Sequence, residues 1–440
     1  MEAKNVKRKK GEYFIGMTYS SSANRRYSKR RRKSQQKLIL RRALIVALCA
    51  AILAGLVALT YFCIIPAVNN LFSKSSSPVS TMDEATLDEV TPDEIATNTA
   101  ETTTAPVTTI EVTTVAPTEA PTTAPEILSP TEYITPVIKD NGKDGTLYSS
   151  TLYLYQNKGF NLFGSTEKVA KNYATTLNGI VKKLDKNIKV YNIVIPNHTE
   201  FGLPLRIRDS IGCTSQAENL QQIAKNLGSR IQSINCYNAL AEHNDEYIYY
   251  NTDHHWTSLG AYYAYTAFCE QTGQTPLDLT KLKKNSIDGF VGSFYTLSGS
   301  SSLYNNSDTV IYYTLPNETS AKMTERMGSS TINCDVYYPA STSGSLTYGV
   351  FCWGDTAKFV IKSDAGTGKK IAVVKDSYGN AFAPYLTANY DEVHLLDYRY
   401  YSGNLNDYLK KNGITEVLFL NNTMSANSTS QVAGMKNALS

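Results

Sequence analysis

The 440-residue chain carries 43 Lys and Arg against 39 Asp and Glu, but the charges are segregated along it. Residues 1–42 hold 15 basic and 2 acidic residues, residues 70–138 hold 1 basic and 11 acidic, and the rest is balanced at 27 and 26. A nearly neutral C-terminal part excludes a nucleic-acid surface, which needs a concentrated basic face.

Residues 1–42 read as a basic cytoplasmic tail, either a plain topology determinant or a contact for anionic inner-leaflet lipid. The 23 residues from Ala43 to Ile65 contain no charge, and about 20 apolar residues suffice to cross a bilayer. Arg41 and Arg42 abut this run and its far side is acidic. The positive-inside bias then predicts a single-pass protein of the cell membrane, with a cytoplasmic N-terminus and an extracytoplasmic C-terminal part. A cleaved signal peptide fits less well, because about 40 residues precede the run and the run exceeds a typical apolar core of about 7–15 residues. Residues 66–139 form an acidic, Thr/Pro-rich linker with too few large apolar side chains to fold, and are expected to be a disordered stalk. Of seven cysteines, Cys49 and Cys63 fall in the apolar run, while Cys213, Cys236, Cys269, Cys334 and Cys352 lie beyond it. Their spacing fits no zinc motif and allows up to two disulfides.

Residues 140–440 read as one extracytoplasmic domain. Helical periodicity covers Thr166–Lys183, Ser215–Leu227 and Thr257–Thr272, and apolar runs at Val190–Pro196 and Lys370–Lys375 read as buried strands. Tyr247–Asn251 reads as a short aromatic strand. The stretch 307–361, rich in Tyr, Thr, Ser and Gly, suggests inserted β-hairpins. Helix Asn380–Thr387, strand Glu392–Leu396, helix Leu405–Lys411 and strand Glu416–Leu420 close the chain. Strands alternating with helices predict an α/β fold, a doubly wound and mainly parallel sheet with a β-rich insert. In such sheets active groups gather at the carboxyl ends of the strands.

Two clusters carry chemistry. Asp253-His254-His255-Trp256 lies between the predicted strand Tyr247–Asn251 and a helix. In extended chain, residues two apart share a side, so Asp253 and His255 are expected together, with His254 facing away. A carboxylate beside an imidazole is what a general base needs. The second cluster, Val374 to Phe382, runs from a strand into a helix and places Ser377 near helix-terminal N–H groups that can hold an oxyanion. Asn380 offers an amide donor there, and Tyr378 and Arg399 are further supporting candidates. Each residue also has a plainer reading: Asp253 or Ser377 as a helix cap, Trp256 as packing, Arg399 as a surface ion pair. His198 and Glu200 follow another predicted strand and are candidates to face the site. Zinc on Asp253, His254 and His255 is disfavoured, because adjacent histidines rarely aim at one ion and no further cluster supplies ligands. No cofactor is expected.

The tetrad Asp253-His254-His255-Trp256, followed by Lys375-Asp376-Ser377-Tyr378-Gly379-Asn380-Ala381-Phe382, resembles the DHHW protein family. Gly289-Phe-Val-Gly-Ser-Phe294 is a softer match. That family is similar to the SGNH-like acetyltransferase proteins of alginate and related cell-surface polysaccharides. The resemblance implies an SGNH-like fold over most of residues 140–440, with Ser377 as nucleophile, His255 as base and Asp253 as its orienting acid. It further implies O-acyl transfer to a cell-envelope glycan, with a membrane-bound O-acyltransferase as donor partner. Lys375 departs from the glycine of the Gly-Asp-Ser form, and Asp-x-His is shorter than the Asp-x-x-His of ordinary SGNH esterases. An O-acetyl esterase with the same three residues and a non-catalytic glycan-binding scaffold stay open as alternatives. The tyrosines of 307–361, with Tyr398, Tyr400 and Tyr401, are the expected walls of an acceptor cleft.

Overall fold

The runs Ile371–Val374 and Val417–Leu420 are apolar without alternation and Val393–Leu396 is broken only by His394, so their strands need cover on both faces. A computed structural model describes residues 132–440 apart from 327, 329 and 339–343, and puts all three runs at the centre of an eight-stranded sheet. The basic tail, the apolar run Ala43–Ile65 and the linker up to residue 131 lie outside the described residues. Among the described residues no helix is long and apolar enough to cross a membrane.

Among the described residues thirteen strands follow one another: β1 Thr146–Ser149, β2 Leu152–Tyr155, β3 Lys158–Asn161, β4 Lys189–Ile195, β5 Ile231–Ser233, β6 Lys284–Phe290, β7 Asp308–Tyr313, β8 Thr319–Thr324, β9 Thr331–Cys334, β10 Lys358–Ser363, β11 Lys370–Lys375, β12 Glu392–Asp397 and β13 Glu416–Asn422. The main sheet has the order β5-β4-β13-β11-β12-β10-β8-β9. From β5 to β12 every pairing is parallel, and from β12 to β9 every pairing is antiparallel. The sheet is therefore mixed, and the predicted insert is not separate from it. Its strands β8, β9 and β10 extend the core sheet, while β6 and β7 pair with each other alone. Strands β1 to β3 form a small antiparallel sheet that the sequence reading missed.

Six of the helices form two groups. Glu167–Val181 buries Ala170, Tyr173, Ala174 and Leu177, a three-and-four spacing that makes one apolar face. It packs with Gln216–Asn226 and Thr429–Ala438. Ser258–Gln271 packs with Tyr237–Glu242 and Gly379–Leu386. The Ser215 hydroxyl caps Gln216–Asn226 and the Thr257 hydroxyl caps Ser258–Gln271, each satisfying an N–H that the helix leaves free. Residues 132–138, placed in the linker by composition, dock on the domain: Ile134 N–H donates to Asn238, and Tyr133 meets Tyr237 edge-on at 5.2 Å. All five described cysteines are free thiols. Burial pushes those of Cys236, Cys269 and Cys352 up to about 12.

The mixed sheet explains where the polar residues collect. Lys375, Asp397 and Asn422 end three parallel strands. Because β10 runs against β12, with Lys358 opposite Leu396, the segment before β10 arrives at the same edge. Thr324, the end of β8, also lies opposite Lys358. Ser377, Arg399, Asp355 and Arg326 thus meet from four separate stretches of chain.

Candidate active site

Residues 247–257 do not form the expected strand. They make an irregular turn closed by a bridge between Tyr249 and Trp256, with Tyr250 N–H donating to the His255 carbonyl. The cause is Asp308 at the start of β7. Its buried carboxylate accepts the N–H groups of Asn251 and Thr252, both at 2.8 Å, the Thr252 hydroxyl at 2.5 Å, and the Tyr247 hydroxyl. Two neighbouring N–H groups aimed at one carboxylate cannot belong to a regular strand, whose N–H groups alternate in direction. Burial raises the Asp308 pKa although these donors oppose it.

Asp253 and His255 nevertheless meet, through this turn. Asp253 Oδ1 accepts the His255 N–H at 3.0 Å and lies 2.5 Å from His255 Nδ1, while Oδ2 accepts the Ser293 N–H at 2.7 Å. Gly292 is needed there, because a Cβ at that position would stand 2.2 Å from Asp253 Cβ. The soft motif Gly289–Phe294 is therefore the seat of the Asp253 carboxylate. Burial opposes ionisation of Asp253. The imidazoles of His254 and His255 and the hydrogen bonds from His255 and Ser293 outweigh it and hold the carboxyl well below its ordinary range.

Ser377 follows β11. Asp376 fixes the loop, accepting Tyr378 N–H through Oδ1 and both the backbone and side-chain N–H of Asn422 through Oδ2. Ser377 Oγ lies 2.7 Å from His255 Nε2. An ionised Asp253 only accepts, so His255 Nδ1 donates to it, and the neutral ring presents Nε2 to the Ser377 hydroxyl. The His255 ring is stacked on Tyr348 at 3.8 Å with 9° between planes, and the Tyr348 hydroxyl donates to the Ser377 carbonyl. Carboxylate, imidazole and hydroxyl in this order, at the foot of a cleft of about 770 Å³, can generate an alkoxide-like nucleophile for acyl chemistry.

Lys375 has its own place. Its stem lies under Gly379, where a Cβ would stand 2.7 Å from Lys375 Cβ, and its ammonium pairs with buried Asp397 at 2.8 Å. Asp397 also holds Arg399, whose Nη2 reaches Asp355 at 2.9 Å. Burial would raise the Asp355 pKa, but Lys375 and Arg399 bring it down to about 2. Asn380 lines the cleft and donates one amide proton to Asp355 at 3.3 Å. The second proton has no partner among the described residues.

The other candidates separate. His254 does not face away: its ring lies 3.9 Å from that of His255, its Nδ1 meets the Ser293 hydroxyl at 2.7 Å, and it lines the cleft. Neighbouring side chains need not point apart here, because the turn is not extended. Tyr378 is buried and donates its hydroxyl to the His254 carbonyl, so it braces the tetrad and is not a donor to ligand. Trp256 packs on Tyr378 and Phe382. His198 is stacked on Tyr249 with Phe160 tilted against it, and Glu200 pairs with Arg208, both away from the cleft. Tyr398, Tyr400 and Tyr401 do not line it either; Tyr338, Tyr348 and Trp353 do. Sequence reasoning missed Asp308, Asp355 and Ser293. Asp355 in Trp-Gly-Asp carries no local signal, since its partners come from β8, β11 and β12. Asp253, His254 and His255 offer donor atoms within 4.8 Å of one another, but both His255 nitrogens and His254 Nδ1 already have partners, which suits proton transfer better than metal binding.

A profile of the DHHW protein family matches residues 125–396. A solved DHHW family protein from Eubacterium siraeum shares 30% identity over 68% of this chain and 99% of its own, with a TM-score of 0.62. The chain belongs to the DHHW family. PatB1 of Bacillus cereus shares the fold, with 22% identity, 65% and 99% coverage and a TM-score of 0.53. The O-acetyltransferase domain of Pseudomonas putida AlgJ aligns at 12% identity, 65% and 98% coverage and a TM-score of 0.38. No curated protein matches the chain significantly.

Histidine burial in this DHHW protein sets a pH dependence. Burial pushes His198 down to about 3, lowers His254 with help from His255, and lowers His394. Each binds a proton less readily in the folded chain than in the unfolded one, which takes up protons as the pH drops below about 6.5. The unfolded chain then binds more protons, so stability falls with pH through this window. Asp308 and Asp376, whose carboxyls burial raises, act in the opposite sense nearer pH 4. Tm is expected to drop between pH 7 and pH 5, and His198→Phe should flatten the slope. A Tm constant over that range would contradict the assignment.

Proposed function

We propose that this DHHW protein is a serine-dependent O-acyltransferase that modifies a cell-envelope glycan outside the cytoplasm. The observation that carries the reading is the hydrogen-bonded chain from Asp253 through His255 to Ser377, buried at the foot of an open cleft. Ser377 attacks an acyl donor while His255 takes its proton and Asp253 steadies the imidazolium. An acyl-serine forms as the donor's leaving group departs with a proton from His255. Water or a sugar hydroxyl then attacks, again with His255 as base. The free amide proton of Asn380 is the candidate oxyanion donor. Arg399, held by Asp397 and Asp355, keeps Asp355 and hence Asn380 in place.

PatB1, which shares the fold, has been obtained with a sulfonyl adduct. A sulfonyl fluoride reacts with activated serines, and here it should modify Ser377 alone. Peptide mass mapping of the treated full-length chain tests this. Labelling that survives Ser377→Ala points to a different nucleophile, and no labelling at all rejects Ser377 and favours a non-catalytic scaffold. Transfer and hydrolysis share the acyl-serine and part at deacylation. The purified protein given an activated acetyl ester should form acetylated sugar when glycan is present; hydrolysis that glycan neither slows nor redirects favours the esterase.

The charge change across Ala43–Ile65 supports a single-pass anchor with the domain outside, where a membrane-bound O-acyltransferase would supply acyl groups. Protease added to intact cells should release the domain by cutting within 75–131. Release only after lysis would reverse the orientation.

A further inference from the structure

The cleft above Ser377 is lined mainly by carbon. Tyr338, Tyr348 and Trp353 supply aromatic surface, and Leu297 and Leu346 stand at it 66% and 71% exposed. Large apolar side chains left in solvent beside a nucleophile mark a surface that something covers. The volume of about 770 Å³ lies within the range of ligand sites, about 300–1,000 Å³.

Trp353 sits there at a cost to the backbone. Cys352, Trp353 and Gly354 have φ of 50°, 60° and 72° in succession. Only glycine takes the left-handed region freely, so two ordinary residues in it mark a strained segment. The Trp353 indole is fixed, donating to the Asp335 carbonyl at 2.9 Å and meeting Tyr338 edge-on at 4.6 Å. The same left-handed run delivers Asp355 two residues later. A strained segment that presents one rigid aromatic ring to a cleft is built for contact with a ligand.

The charges of the cleft say what kind. Arg399 is held by Asp397 and Asp355, and Arg326 donates Nε to the Asp355 carbonyl at 2.7 Å with Nη2 3.9 Å from its carboxylate. Asp253 and Asp355 balance the two arginines, so the cleft offers no net positive field to an anion. A fatty acyl chain fits no better, because it would strip water from two guanidinium groups and a carboxylate without replacing their hydrogen bonds. A neutral sugar ring has an apolar face for an aromatic ring and hydroxyls for the polar groups between.

We propose that the cleft binds a neutral oligosaccharide, one ring of which lies on Trp353. This deepens the acyl-transfer reading and rests on it for the identity of the acceptor. The chain has two tryptophans, and Trp256 is fully buried, so a ligand-induced change in fluorescence reports Trp353. The full-length Ser377→Ala protein, in a detergent without sugar headgroups, is titrated with tetramers of β-1,4-linked glucose and N-acetylglucosamine. Tetragalacturonate and laurate are titrated in parallel. At least one neutral tetramer should give a saturable change insensitive to salt, and calorimetry should show at least tenfold weaker binding to Trp353→Ala. Tighter, salt-sensitive binding of tetragalacturonate, saturation by laurate, or no saturable change with either neutral tetramer overturns the proposal. The variant performs no chemistry, so sugar binding alongside an unreactive Ser377 in the wild type would sink the acyltransferase reading alone.

Discussion

Replacing Ser377 with alanine is expected to abolish acyl transfer and sulfonyl labelling while the domain stays folded. The change deletes one hydroxyl whose partner is His255 Nε2. The loop itself is held by other groups: Asp376 on Asn422 and on the Tyr378 N–H, and Tyr348 on the Ser377 carbonyl. Loss of a nucleophile that acts with a base and an orienting acid removes roughly 10⁴-fold or more in kcat. His255→Ala should cost about as much, and the double variant no more than either, because the three groups act as a unit. Near-native Tm with no turnover is the expected pair of readings. Residual turnover above about 1% in Ser377→Ala, with a clean mass spectrum, would mean that another group attacks.

Much of this was legible in the sequence, for physical reasons that differ between elements. The central strands could be read because burial on both faces leaves apolar runs such as Val417-Leu-Phe-Leu420. The helices could be read because one face packs and the rest does not. The antiparallel half of the sheet could not be placed. Strands β8 and β10 carry ordinary half-buried alternation and β9 is mostly exposed, and nothing local says whether such strands stand apart or join a neighbour. Asp253 and His255 were paired correctly by an argument that does not hold, since extended chain was assumed where Asp308 folds a turn. The same error put His254 on the wrong side. Asp308 lies 55 residues from Asp253, and a lone aspartate opening a strand has no sequence signature of the role it plays.

The same dependence on distant support makes Gly292→Ala the second large effect. Gly292 has a φ of −90°, outside the left-handed region, so alanine brings no left-handed backbone strain there. What it brings is a methyl carbon 2.2 Å from Asp253 Cβ and 2.4 Å from Oδ2, a separation that forces the carboxylate to move. Asp253 is then pushed off His255 Nδ1 or loses the Ser293 N–H, and in either case the imidazole is no longer held in the tautomer that presents Nε2 to Ser377. A displacement of about 1 Å at a reacting group can cost roughly 10²-fold, so kcat should fall by about that factor with KM little changed. Some loss of stability is expected as well, so turnover must be compared at a temperature where both proteins are fully folded. The route of the effect is tested by a double-mutant cycle. If Gly292→Ala acts only by moving Asp253, adding it to Asp253→Gly should lower kcat no further, because neither the carboxylate nor the Cβ that the new methyl would meet remains. Losses that multiply would show instead that Gly292 serves the cleft by a path that does not run through Asp253.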